Sequence, residues 1–210
     1  MNHLTPKFDT CFFERYAMIT LATLMGEHYS NLINRDRPDL QDPVQGIGIE
    51  VTRAIAENKN VAHALVNEMA GEAVMEVNAA DLSNIRQRGY AYGLGNGQMM
   101  GAKEYTYWSL AMPMQRVLES KMDKVNLGYY GDFQEFGLFV FSKENLNAAQ
   151  VRHTVDFVIN RQTAFSRRYA RLFVSQIETL FVCDLVSGRF NTLKIGPALR
   201  RRFYESAISQ

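Results

Sequence analysis

Cysteine is scarce in this chain: Cys11 and Cys183 are the only two among 210 residues. Their separation gives neither a disulfide framework nor metal-ligand spacing, so two reduced thiols in a cytoplasmic protein are expected. No apolar run approaches the length of a bilayer span, and Met1 to Lys7 lacks the apolar core of a secretion signal. A membrane partner is therefore not expected. Excess charge is missing too: 23 basic against 22 acidic residues leave a formal net charge of +1, so any nucleic-acid surface must be local. His3, His28, His63 and His153 are dispersed and form no HExxH pattern. There is no Gly-x-Ser-x-Gly elbow, and Gly93-Leu94-Gly95-Asn96-Gly97 lacks the Gly-Lys-Ser/Thr ending of a phosphate loop. Internal repeats and low-complexity tracts are absent as well.

What is present centres on Arg37-Pro38-Asp39-Leu40-Gln41-Asp42 and on Gly46-Ile47-Gly48-Ile49-Glu50-Val51-Thr52. Ile47, Ile49 and Val51 alternate with Gly48, Glu50 and Thr52, so a strand over 47 to 52 turns its aliphatic side chains to one face and Glu50 to the other. A carboxylate inside a β-branched run needs compensation. Asp39 lies eleven positions upstream, after a proline that favours extended or turning backbone. Two acids beside one strand can hold a divalent cation. Asp42 either assists them or shapes the turn.

The spacing of Phe13, Ala17, Leu21, Leu24, His28 and Leu32 predicts a helix over 10 to 33, with Glu14 on the flank of its apolar face. A second helix over 110 to 126 carries the stripe Leu110, Met114, Val117, Leu118, Met122 and Val125. Lys121 lies near the centre of that stripe, where an ammonium must reach solvent, lose its charge or find an anion. Lys124 sits farther toward the polar side. The run 137 to 141 reads as a central strand, and a helix over 146 to 165 begins at Asn145 or Asn147. A strand over 172 to 174 and a closing hairpin, 179 to 186 with 189 to 195, follow. Arg161, Arg167, Arg168 and Arg171 make a local basic cluster suited to phosphate contacts, and Arg200 to Arg202 add a second. Between the halves, Asn60 starts a further helix, and the glycine- and tyrosine-rich segment 89 to 107 reads as a loop. Its tyrosines could stack on bases, with Arg86, Arg88 and Lys103 positioned to meet phosphates.

Pro38-Asp39, ten intervening residues, then Glu50-Val51-Thr52 resembles the PD-(D/E)XK nuclease superfamily, the restriction-endonuclease-like fold. Thr52 departs from the pattern, standing where the family has lysine. The resemblance covers about residues 10 to 142. It implies a metal-dependent nuclease in which Asp39, Glu50 and the main-chain carbonyl of Val51 hold Mg²⁺ or Mn²⁺. Lys121 would stand in for the lysine that Thr52 replaces. Glu14 would be the helical glutamate that faces the metal in such proteins, with Glu27 a weaker competitor. Asp39, Glu50, Lys121 and Glu14 are thus the implied catalytic set, and Arg167, Arg168, Arg171 and Lys103 the candidates for binding DNA.

The expected architecture is one α/β domain over residues 1 to 210, a mixed central sheet flanked by helices. It has an insertion over about 53 to 109 and a carboxy-terminal helix and hairpin over about 146 to 195. A homodimer is compatible with this reading. The alternative function is that of a catalytically inactive nuclease-fold protein, acting as a nucleic-acid-binding or protein-interaction module. In a third reading the acidic pair only bonds backbone amides.

Overall fold

The computed structural model describes residues 10–54, 94–95, 98–99, 112–142 and 145–208. The chain divides into two compact units, Met1–Arg53 with Glu119–Gln210, and Ala54–Leu118. In the second, the described backbone comprises Ala54, a hairpin, β4 (Leu94–Gly95) with β5 (Gln98–Met99), and the first turns of α2 (Met112–Asn126). The hairpin falls within the segment 89 to 107 read as a loop, its two-residue strands too short to leave an alternation in sequence; the other residues of that segment lie outside the described residues. The helix expected from Asn60, with Arg86, Arg88, Lys103 and Leu110, lies outside the described residues.

The first unit begins with α1 (Thr10–Met25), shorter than the helix read over 10 to 33. Gly26 has φ +71°, the left-handed conformation that ends a helix and that glycine adopts without steric cost. A 3-10 turn (Gly26–Tyr29) follows, and the chain then enters the sheet through β1 (Ile33–Asn34), so Leu32 belongs to the core without being helical. Strands β2 (Leu40–Asp42) and β3 (Ile47–Ala54) come next, then β6 (Glu135–Ser142), β7 (Arg171–Ser175), β8 (Thr179–Asp184) and β9 (Arg189–Lys194). The seven strands form one sheet in the order β1-β2-β3-β6-β7-β8-β9. It is mixed: β6 and β7 are parallel, whereas β1–β2, β2–β3, β7–β8 and β8–β9 are antiparallel.

Helix α3 (Ala148–Arg161) supplies the long connection that the parallel pair β6–β7 requires. It starts with a reciprocal cap, in which Asn147 Oδ1 accepts from the Gln150 amide at 3.0 Å and Gln150 Oε1 accepts from the Asn147 amide at 2.8 Å. Helix α4 (Pro197–Ile208) packs on α1, where Arg15 Nε donates to the Ala207 carbonyl at 2.7 Å.

One core cluster joins Phe12, Tyr16, Ala17 and Leu21 of α1 and Phe203 and Ala207 of α4 to the sheet residues Ile47, Ile49, Val51, Phe139, Phe141 and Phe173. The alternating residues Leu138, Val140, Leu172 and Val174 point to the other face and are equally buried, as a strand covered on both sides requires. The architecture is therefore α/β, a seven-stranded mixed sheet flanked by helices. Among the described residues no helix is long and apolar enough to cross a membrane.

Candidate functional site

Pairing of β2 with β3 sets Leu40 opposite Ile49, so the next register position outward brings Asp39 and Glu50 together. Pro38 is buried and its peptide with Arg37 is cis, with Arg37 itself at φ 63°. Gly48 makes this approach possible: a Cβ there would fall 2.9 Å from Pro38 Cγ and 2.8 Å from the Phe133 ring. Asp39 Oδ2 accepts a hydrogen bond from the Val51 amide at 2.7 Å. Glu50, buried to 6% exposure, lies on the face opposite Ile49 and Val51 and forms an ion pair with Lys121 of α2. The sequence placed Lys121 among buried apolar neighbours, and Leu118, Met122 and Val125 are indeed buried around it. Its ammonium has resolved that conflict by finding an anion.

Glu14, 8% exposed on α1, accepts from Asn34 Nδ2 at 2.9 Å, and its charge reaches Asp39. Burial, reinforced by the Glu50 and Glu14 charges, pushes the Asp39 carboxyl up from 3.8 to about 7; the Val51 amide and Lys121 pull the other way. The structure thus brings Glu14, Asp39, Glu50 and Lys121 to one place. Val51 meets Asp39 through its amide. Asp42 is turn-forming, its Oδ1 accepting from the Val44 and Gln45 amides at 2.9 and 3.0 Å and its Oδ2 from Gln45 Nε2 at 3.1 Å.

Two tyrosines at this place gave no signal in the sequence. Tyr130 is 4% exposed, and its Oη is buried without a hydrogen-bond partner of acceptable geometry. Burial, then the neighbouring Glu50 and Asp39 charges, keep this phenol protonated far above the ordinary tyrosine range. Tyr169, also buried, points its Oη toward the Lys121 carbonyl at 3.5 Å, and Gln162 clamps its backbone at 2.9 and 3.1 Å. Neither belongs to a periodic pattern. Each sits in a connection beside a glycine or arginine cluster that tells nothing about which way the ring turns.

The basic residues read as phosphate contacts are mostly engaged with acids. Arg167 pairs with Asp132 at 2.6 Å, Arg171 with Asp184 at 2.8 Å, and Arg161 with Asp123 at 3.3 Å. Arg168 donates through Nε to the Phe165 carbonyl at 2.8 Å. Arg200 pairs with Glu178 at 2.6 Å and Arg201 with Glu205 at 3.1 Å.

Among the described residues no group of three His, Cys, Asp or Glu side chains is arranged to hold a metal ion. Mg²⁺ needs less than that, since it keeps several waters and is commonly bound through one or two carboxylates. Asp39 and Glu50 repel each other, Glu50 is already paired with Lys121, and the Tyr130 hydroxyl lies beside them. No protein-family model matches the chain, nor does any curated protein or solved structure.

Proposed function

We propose that the first unit has a restriction-endonuclease-like core and hydrolyses phosphodiester bonds in a Mg²⁺- or Mn²⁺-dependent reaction, with DNA as the substrate. The observation that carries this reading is the Lys121–Glu50 ion pair. A lysine from α2 lies beside the two motif carboxylates, while Thr52 stands where the resemblance expects that lysine. Asp39 and Glu50 would hold the ion, with the Val51 carbonyl a further oxygen ligand. When bound, the ion would polarise the phosphate and lower the pKa of a water.

The remaining roles belong to the chain's own groups. Lys121 shares its charge between Glu50 and an incoming phosphate, offsetting negative charge that develops there. Glu14 completes the negative environment from α1, and Asn34 fixes the direction of its carboxylate. Arg167, Arg168, Arg171 and Lys103 are the proposed contacts to the nucleic-acid backbone; Arg167 and Arg171 would exchange their present carboxylate partners for phosphates. Nicking of supercoiled plasmid by the purified full chain tests the reading. Wild type cuts with Mg²⁺ or Mn²⁺, and Asp39→Ala and Glu50→Ala each abolish cutting while circular dichroism and Tm show a folded chain. Absence of any DNA or RNA cleavage by wild type with either ion removes the enzymatic reading.

A second reading, a nuclease-fold protein that binds nucleic acid or protein without cutting, is favoured by one observation. Lys121 is already neutralised by Glu50, and Thr52 offers no replacement. Salt-sensitive DNA affinity without cleavage would select it.

A further inference from the structure

Helix α2 ends in a turn that leads from Lys121 to Tyr130, two residues of the carboxylate site, and the whole turn belongs to the first unit. The Tyr129 amide donates to the Lys124 carbonyl at 3.0 Å and the Gly128 amide to the Val125 carbonyl at 2.9 Å, with Gly128 at φ +73°. That pair of bonds closes a helix at a left-handed glycine and fixes the backbone of the residue after it. Tyr129 is therefore held beside Lys124, with its ring 48% exposed. Two cations share the ring: Lys124 Nζ lies 5.3 Å and Arg37 Cζ 5.0 Å from its centroid. Arg37 precedes Pro38 and Asp39, so the ring gathers one cation from each of two segments that supply the site. Edge-on packing against Tyr130, centroids 5.2 Å apart, joins it to the buried phenol that feels Glu50 and Asp39.

Both cations are weakly committed. Lys124 has no carboxylate partner among the described residues, and Arg37 has only Asp36 at 3.4 Å, an exposed pair that contributes little in water. A third cation, the Arg167 guanidinium, lies against Gly128, where any Cβ would strike it, and its partner Asp132 is largely exposed. An exposed π-face ringed by such cations suits an unpaired nucleotide, whose base can stack while its phosphates take the charge. A duplex brings phosphates alone, since its base faces are already stacked on one another. An acidic peptide would likewise use the cations and leave the ring idle.

We propose that Tyr129, Arg37 and Lys124 form a platform for single-stranded DNA: one unpaired base stacks on the Tyr129 ring, and the two cations swing from the ring to the phosphates on either side. The exchange is favourable, because a stacked base outweighs a cation over an exposed ring and each cation gains a phosphate. This names the substrate class of the neighbouring carboxylate site and rests on the nuclease reading only for the step after binding.

Fluorescence anisotropy of a labelled oligothymidylate with the full chain, in EDTA at low salt, tests the platform without metal or cleavage. The strand binds saturably and at least about tenfold tighter than a duplex of the same length, although the duplex carries the denser charge. Tyr129→Ala weakens binding about tenfold, and Tyr129→Phe, which keeps the ring, restores it. Arg37→Gln and Lys124→Gln each lower the slope of log affinity against log salt by about 0.7. An abasic strand of equal length loses the same factor on wild type, a comparison that needs no variant to fold. No saturable binding, duplex bound as tightly as single strand, polyglutamate competing at equal charge, or an affinity unchanged by removing the bases or by a folded Tyr129→Ala overturns the proposal. The two readings fail separately. Cleavage with Mg²⁺ but no Tyr129-dependent strand binding removes the platform and spares the nuclease; Tyr129-dependent binding in EDTA with no cleavage in Mn²⁺ upholds the platform and removes the nuclease.

Discussion

Asp39 is half-buried, faces Glu50 across the strand pair and feels Glu14 from the helix, so its ionised form is disfavoured in the folded chain. The folded carboxyl titrates near 7 and the unfolded one near the ordinary 3.8. A raised folded pKa means the folded state holds the proton more tightly, so the stability linked to Asp39 is fully present below pH 3.8, declines as pH rises and is lost above about 7. Asp39→Asn keeps an acceptor for the Val51 amide and removes the charge. In urea unfolding without divalent ions the variant should match wild type near pH 4 and be more stable by about 1–2 kcal/mol at pH 8, a figure reduced for solvent screening at a partly exposed group. Mg²⁺ held at Asp39 and Glu50 would narrow that difference by stabilising wild type alone. Asp39 and Glu50 were legible as a pair because a carboxylate in a β-branched run and an aspartate after proline both break local rules. Lys121 was legible for the same reason. Tyr130 was not, because a tyrosine in a glycine-rich connection breaks none.

At the scale of elements, the β2–β3 pair is held in place by what Gly48 omits. The ring of Phe133 and the ring of Pro38 both occupy the space a Cβ would need, and neither contact atom is the far end of a flexible chain. Gly48→Ala should therefore destabilise the protein by about 1–3 kcal/mol, the usual range for forcing one methyl into a filled site. It should also shift Asp39 from its Val51 hydrogen bond, visible as a loss of hydrogen-exchange protection at the Val51 amide. The strands were readable where they are long: β3, β6 and the β8–β9 hairpin follow alternation or a continuous apolar run. β1 and β2 were missed, being two and three residues long with no room for a period. The overlong first helix has a simpler cause. His28 and Leu32 continue its spacing by coincidence, and the Gly26 conformation overrides them. The terminal helix α4 was read only as a basic patch, although Pro197 marks its first turn and Phe203 and Ala207 lie one turn apart on its buried side.

For the whole molecule, the sheet is assembled from distant parts of the chain. β6 lies between β3, which precedes it, and β7, which follows, and α4 closes the core against α1. Removing residues 197 to 208 would uncover Phe12 and Tyr16, which meet Tyr204 and Phe203, and withdraw Phe203, which is wholly buried. That truncation should abolish cooperative unfolding in urea and raise binding of a hydrophobic dye, with far-UV circular dichroism retaining part of its helical signal.

The pairing of α1 with α4 also has a consequence in time. During synthesis, α1 and β3 precede their partners, so the side of α1 that meets α4 stays uncovered until Phe203 emerges and β3 has an open edge until β6 does. For that interval the nascent chain presents a sticky helix and an unpaired strand together, the combination that invites aggregation and draws chaperones. Yield of folded protein should thus depend on translation rate and chaperone supply more steeply than on the stability of the finished fold.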